Sequence, residues 1–384
     1  MLNHRRIVPL SFLSLLCWLS LNCHTDAFIV PSSTNEGTRI ASYQPIKTFD
    51  HHHHQQQHYH STSQQSTALN VVGGGTELAT AAIALPKLSS IVASCLTPTL
   101  LGYYKYEYGV SYAYGTATAG TAYLILRSLL LNSSPISSST PFTLLAQLHT
   151  TAIVFYGIRL NLFLLYREIC IDKFRKFRDK IEEKNTKKNP NKSWLLDNIM
   201  SRTPFVLSCS LLYAGLAIPA LISAKMSMST VDVLSSKKTI MTLYKVLVYG
   251  TWFGFGLGAI GDINKSLIKK IKGEDHLVTG GIYRFFRHPN YTGEIIGWTS
   301  SFLACITSIF LSSSSSNNNN IMFLMKSLIG ELLTSIVGVF GIVFVLLSAT
   351  AGLEQRQKIK YGNTEQYQNW VKKSWKGFAL AKKD

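Results

Sequence analysis

Between Gly261 and Trp298 the chain reads GDINKSLIKKIKGEDHLVTGGIYRFFRHPNYTGEIIGW, and residues able to do chemistry crowd its second half. Pro289 fixes its own φ and biases His288 away from helical backbone, so the spacing predicts a helix with Pro289 as its first residue. The free N–H groups of that first turn then stand beside Arg284, Arg287 and His288. A helix N-terminus next to two guanidinium groups is receptive to phosphate or carboxylate. Asn290 and Tyr291 fall in the first turn, and Glu294 lies one turn beyond Asn290. Gly293 lets another group approach the backbone between them. An ionisable side chain such as Glu294 at the start of an apolar run is costly, which makes it a functional candidate. The plainer roles are a helix-dipole partner for Glu294 and lipid-headgroup contacts for Arg284 and Arg287. Gly280-Gly281 reads as a turn, because no GxGxxG follows a strand.

Such a site needs elements to hold it, and the composition says what kind. The 384 residues carry 38 Lys+Arg against 20 Asp+Glu, a formal charge of +18, yet only 15% are charged and 46% are apolar. Soluble chains carry about 25% charge, so a water-soluble enzyme is excluded. A nucleic-acid binder spreads its basic residues over a polar surface, whereas these gather in short blocks between long apolar runs. Candidate spans of about 20 residues lie near 83–102, 108–130, 143–166, 204–223, 239–260, 293–312 and 321–348. The first is interrupted by Pro86, Lys87 and Pro98, and the last is long enough to tilt or to run past the bilayer. The expected fold is therefore all-α, a polytopic transmembrane bundle of about seven spans with a cofactor cleft at one end.

Charge placement gives that bundle a sidedness. Residues 167–192 hold ten Lys/Arg against five Asp/Glu, residues 262–287 six against three, and the tail from Glu354 eight against three. Alternating spans put all three segments on one face, as the positive-inside rule requires. The opposite connections are nearly uncharged, notably Ser312 to Asn320. Chemistry with an anionic cofactor belongs at the basic face.

Upstream, Arg5 and Arg6 precede an apolar run from Ile7 to Leu21, the pattern of a secretory signal peptide. Asp26-Ala27-Phe28-Ile29-Val30-Pro31 and an acid-poor Ser/Thr/Gln stretch follow. This resembles the bipartite leader of algae with plastids of secondary origin; delivery to the endoplasmic reticulum membrane is the alternative. Residues 51–65, HHHHQQQHYHSTSQQ, read as a disordered spacer with nothing to fix a metal geometry. Three regions result: a leader and spacer over 1–75, N-terminal transmembrane helices over 76–140, and a core over 141–384. The six scattered cysteines read as small packed hydrophobes, with no disulfide framework and no metal site.

Several segments together carry a family resemblance. Asp262-x-x-Lys265, Val278 through Arg284, and Arg287-His288-Pro289-Asn290-Tyr291-x-Gly293-Glu294 resemble the C-terminal core of the steroid 5-alpha-reductase superfamily. Tyr156-Gly157-Ile158-Arg159-Leu160 with Leu164-Leu165-Tyr166-Arg167, and the tail's Glu354-Gln355-Arg356, Tyr361-Gly362 and Tyr367, are similar to that superfamily's poorly characterised membrane branch. The resemblance implies an NADPH-dependent reductase of a C=C bond conjugated with a carbonyl. Asp262, Arg284, Arg287, His288, Asn290, Tyr291 and Glu294 would line the cofactor pocket, and Arg159 and Tyr367 would close it. Arg159, in the middle of an apolar run, cannot easily face lipid. The related isoprenylcysteine carboxyl methyltransferases share the RHPxYxG core and bind S-adenosylmethionine, so that cofactor is the alternative; a non-catalytic lipid-binding protein is the third reading. The expected partners are membrane lipids and a lipophilic small molecule, with no nucleic acid and no obligatory protein partner. No catalytic acid is nominated: Tyr112 and Tyr114 offer phenols, but packing or interfacial anchoring is the plainer role for each.

Overall fold

The structure is a computed structural model that describes residues 85–132, 140–171, 196–229, 237–312 and 318–378. The leader, the His/Gln spacer, Cys17, Cys23 and most of the basic run 167–192 lie outside the described residues. The architecture is all-α. Three short helices, α1 (Leu88–Thr99), α2 (Leu101–Tyr104) and α3 (Tyr106–Val110), lead into α4 (Tyr112–Asn132). The longer helices follow: α5 (Pro141–Cys170), α6 (Leu196–Ser229), α7 (Lys238–Lys272), α8 (Pro289–Ser312) and α9 (Asn318–Tyr361). A 3-10 turn (Gly281–Arg284) precedes α8, and the short α10 (Glu365–Lys373) follows α9. Among the described residues the β-type pairing is a single parallel bridge between Phe286 and Trp375.

Among the described residues five helices, where seven spans were expected, are long and apolar enough to cross a membrane: Pro141–Cys170, Ile199–Met228, Lys238–Lys272, Pro289–Ser312 and Lys326–Tyr361. The first expected span, 83–102, is a 12-residue helix with Pro98 near its end, followed by two short helices. The second is present as α4, but it is rich in Gly, Ala and Thr, and its side chains from Tyr112 to Ala122 are all buried. A helix so enclosed by protein has no need of a lipid-facing apolar stripe. The outer surfaces of the long helices are the reverse. Phe253, Phe340 and Phe344 are each more than 60% exposed, an apolar belt that water would not tolerate and lipid does.

Local signals set the ends of these helices. Thr140 caps α5, its hydroxyl accepting from the Thr143 N–H at 3.2 Å, with Pro141 at the first helical position. Helix α7 closes on Lys269, Lys270 and Lys272, cations that suit a C-terminal dipole, and stops at Gly273 with φ +91°. Chain order then brings the C-terminal ends of α5, α7 and α9 and the N-terminal ends of α6 and α8 to one face, the basic one. Helix α6 is the central member, with 72% of its apolar window buried. The core joins residues from α1 and from α4 through α9 around Tyr114, Tyr156, Tyr213, Phe255 and Trp298.

Candidate functional site

Helix α8 begins at Pro289 as the sequence predicts, and the Thr292 N–H bonds back to the His288 carbonyl at 3.0 Å. What sets the position of this helix is a seam of glycines. A Cβ added to Gly254 would run into the Gly297 N, and one added to Gly293 into the Gly254 carbonyl. One added to Gly261 would lie 3.0 Å from the Asn290 N and from Pro289 Cγ. Gly258 is as tight, with the Asn290 carbonyl 3.3 Å and Arg159 Nη2 3.1 Å from such a Cβ. Small residues at this spacing let two helix backbones touch. Because α7 carries no side chain along this line, the first two turns of α8 lie against it and Glu294 comes level with Asp262.

Helix α5 supplies the cation between them. Arg159 Nη1 donates to Asp262 Oδ2 at 2.6 Å and Nη2 to Glu294 Oε1 at 3.4 Å. One turn away on the same helix, the Tyr156 hydroxyl donates to Glu294 Oε2 at 2.9 Å, and the guanidinium carbon sits 5.1 Å from the Tyr156 ring centroid. Tyr156 is fully buried, and Asp262 and Glu294 are nearly so. Two carboxylates thus share one guanidinium, and Lys265 and Arg167 add positive charge near Asp262. Buried charges are tolerable only when paired and hydrogen-bonded in this way. The Arg159 Nε has no acceptor among the described residues. Behind the cluster, the Trp298 indole N–H donates to the Tyr114 hydroxyl at 2.7 Å, and the rings of Tyr114, Tyr156, Phe255 and Trp298 pack against one another.

A second constellation lies at the basic face. Glu354, near the end of α9, takes Arg287 Nη1 on one oxygen at 2.7 Å and His288 Nε2 on the other at 2.6 Å. The chain that follows is clipped to the same loop. The Trp375 N–H donates to the Phe285 carbonyl at 2.8 Å, and the Arg287 N–H donates to the Trp375 carbonyl at 2.9 Å. The Trp370 indole donates to the Tyr283 carbonyl at 2.6 Å. Tyr283, Tyr367 and Trp370 close over Leu277 and Val278 in a small apolar cluster of their own. Burial raises the Tyr283 phenol above its ordinary pKa, with Asp262 adding to the effect. Burial also raises Tyr367, helped by the charge of Glu354.

The candidate residues therefore divide. Arg159, Asp262 and Glu294 meet in one buried cluster, and the Asn290 carbonyl packs against Gly258 of α7. Tyr291 packs against the main core beside it. Arg287 and His288 are held by Glu354 instead, Tyr367 belongs to the small cap cluster, and Arg284 borders a separate surface cavity. Gly280-Gly281 forms the expected turn: Gly281 has φ +61°, and a Cβ there would collide with the Asn264 amide. Tyr112 donates to Glu168 at 2.6 Å, and Tyr114 sits in the aromatic core. Among the described cysteines, Cys95, Cys209 and Cys305 are buried and Cys170 is exposed. Sequence reasoning missed Tyr156 and the clasping role of Glu354. The available signal for Tyr156 was its place three residues before Arg159, on the same face of one helix.

Residues 116–374 match the family described as protein of unknown function (DUF1295). The match takes in the Arg159 cluster, the Glu354 clasp and more than half of the chain, and the chain belongs to that family. No curated protein and no solved structure matches it.

Proposed function

We propose that this DUF1295 member is an integral-membrane reductase that uses NADPH to reduce a C=C bond conjugated with a carbonyl in a lipophilic substrate. The observation that carries the reading is the buried contact of Tyr156 and Arg159 with Glu294 at the basic end of α8. Such a reduction adds a hydride to one carbon and a proton to its neighbour, while negative charge develops on the carbonyl oxygen. Arg159 is a fixed cation for that charge. The Tyr156 phenol is a proton donor oriented by Glu294, and a proton from water replaces the one transferred to the substrate. The resemblance of the HPNYxGE segment to the steroid 5-alpha-reductase superfamily supports the same reading.

Bound NADPH would supply the hydride. The residues present fit it: the first-turn N–H groups of α8 and the Asn290 amide suit a carboxamide and ribose. Arg284, Lys373 and Thr279 border a cavity of about 450 Å³ on the basic face that suits phosphates. Arg287 and His288 are engaged by Glu354, so they serve as positioning residues that lock the entry of α8.

A methyltransferase using S-adenosylmethionine is the second reading. It draws on the same cluster, since two carboxylates to one guanidinium would welcome a sulfonium cation. For topology, we assign the broken α1–α3 segment and α4 as two further crossings, giving seven, with the basic ends on the cytosolic or stromal side. For location, the Ala27–Phe28 junction favours a plastid membrane over the endoplasmic reticulum.

The test is thermal stabilisation of the full chain in detergent. NADPH at a hundredfold excess over its Kd should add about 2.7 kcal/mol, with no shift from S-adenosylmethionine. Glu294→Gln and Asn290→Ala should each lose that shift while inserting and expressing normally. A shift with S-adenosylmethionine alone would move the protein to the methyltransferase class, and no shift with either would leave a lipid-binding protein without catalysis.

A further inference from the structure

A cavity of about 520 Å³ lies between α5 and α7, separate from the phosphate-sized cavity near Arg284. One wall runs from Phe155 to Tyr166 on α5 and the other from Ala259 to Lys270 on α7. Each wall spans twelve residues, eleven helical rises of 1.5 Å or roughly 16 Å. That is about half the ~30 Å hydrocarbon core, the depth of one leaflet. Leu162, Ile263 and Leu267 on these walls are each more than half exposed, so the groove opens sideways. Its inner side is polar, where Arg159 and Asp262 of the buried cluster form the wall, each with 11% of its side chain exposed, and Ser266 lies between Asp262 and the basic end. At the basic end stands Lys270, exposed and with no ion-pair partner among the described residues.

We infer that this groove seats one linear lipid from the basic-side leaflet, its acidic head at Lys270 and its chain running inward past Arg159. The charge gradient fixes the orientation: a cation at the mouth, apolar walls along the length, and one guanidinium part-way down. An anionic head gains from Lys270 at the membrane surface, and a chain oxygen passing Arg159 meets its guanidinium. The occupant's length then matches the groove's, a single leaflet. Its role as substrate rests on the reductase reading; its seat in the groove does not.

The experiment uses the full chain in nanodiscs of neutral phosphatidylcholine, with a diazirine-bearing palmitic acid and the corresponding diazirine-bearing alcohol as probes, and no nucleotide. After photolysis, mass spectrometry should find palmitic-acid adducts on peptides covering 155–166 and 259–270 at about tenfold the level on the Phe340–Phe344 stretch of α9. Lys270→Glu should reduce those adducts about tenfold and leave labelling by the alcohol unchanged. Ile263→Trp, which fills the groove, should remove both. Labelling spread evenly over all exposed apolar helix faces, or insensitivity to Lys270→Glu, would overturn the inference. Groove labelling that succeeds in a protein with no NADPH melting shift would leave the lipid seat standing and remove the reductase reading alone.

Discussion

Replacing Glu354 with Ala should open the basic-face cap without unfolding the bundle. The carboxylate makes two charge-assisted contacts, 2.7 Å to Arg287 and 2.6 Å to His288, with side chains 11% and 3% exposed. Removing one partner of a buried pair costs about 3–5 kcal/mol, because the cation left behind is uncompensated. Arg287 has no other relief to fall back on, since its Nε is already buried without a partner among the described residues. The cap keeps its backbone contacts between Phe285, Arg287 and Trp375, so the loss falls on local opening. Taking the low end, about 3 kcal/mol, amide exchange in residues 274–288 and 362–375 should accelerate about a hundredfold. Glu354→Gln keeps the shape and one acceptor oxygen, and should fall between the two. Hydrogen exchange read by mass spectrometry on the full chain in detergent is the assay. Exchange in the cap within about twofold of wild type in Glu354→Ala would refute the clasp, as would equal acceleration throughout α6, which would mean global destabilisation.

The glycine seam makes a sharp contrast: Gly293→Ala should destabilise by about 1–3 kcal/mol through overpacking against the Gly254 carbonyl, while Gly256→Ala, with nothing within 4 Å, should be neutral or stabilising. Equilibrium unfolding of the two variants side by side checks this, and equal effects would count against the close approach. Tyr283 and Tyr367 have folded pKa values raised above the ordinary 10.0, so the stability they contribute is present below pH 10 and is lost as pH climbs through the raised values. Tryptophan fluorescence, to which Trp370 at 6.1 Å from Tyr367 contributes, should therefore report a reversible alkaline opening that Tyr283→Phe moves to higher pH. Residues 1–60 fused to a fluorescent protein should reach the plastid, and Phe28→Ala should divert the fusion to an earlier secretory compartment; a wild-type fusion held in the endoplasmic reticulum would end the plastid assignment.

The long crossings were legible because apolar length and flanking charge are local properties. The runs 143–166, 204–223, 239–260, 293–312 and 321–348 each became a long helix within a few residues to about a dozen of the expected ends. The run 83–102 failed as one helix because Pro86 and Pro98 confine it to Leu88–Thr99. The first turn of α8 was equally readable, since the effect of Pro289 reaches only its neighbours. What could not be read was partnership. Glu354 lies 66 residues from His288, and Tyr156 lies 138 from Glu294. Nothing in the spacing said that the guanidinium of Arg287 would be claimed by the tail rather than left open to a phosphate. For Arg159 the sequence marked a cation that cannot easily face lipid but not its partners, which are Asp262 and Glu294.

The order in which the clasp is made has a bearing on biogenesis. Arg159, Asp262 and Glu294 are all synthesised before the residues that fasten the loop ahead of α8, and Glu354 follows Arg287 by 67 positions. Trp370 and Trp375 come later still. A nascent chain can therefore insert its helices and bring its buried charges together while the entry to α8 is still unlocked. The last-made segment acts as a latch, so a ribosome that stalls within α9 leaves a protein that is inserted yet open at its basic face. Such a product would expose the loop ahead of α8 to proteolysis, and full-length chains would be spared by the same carboxylate that fastens that loop.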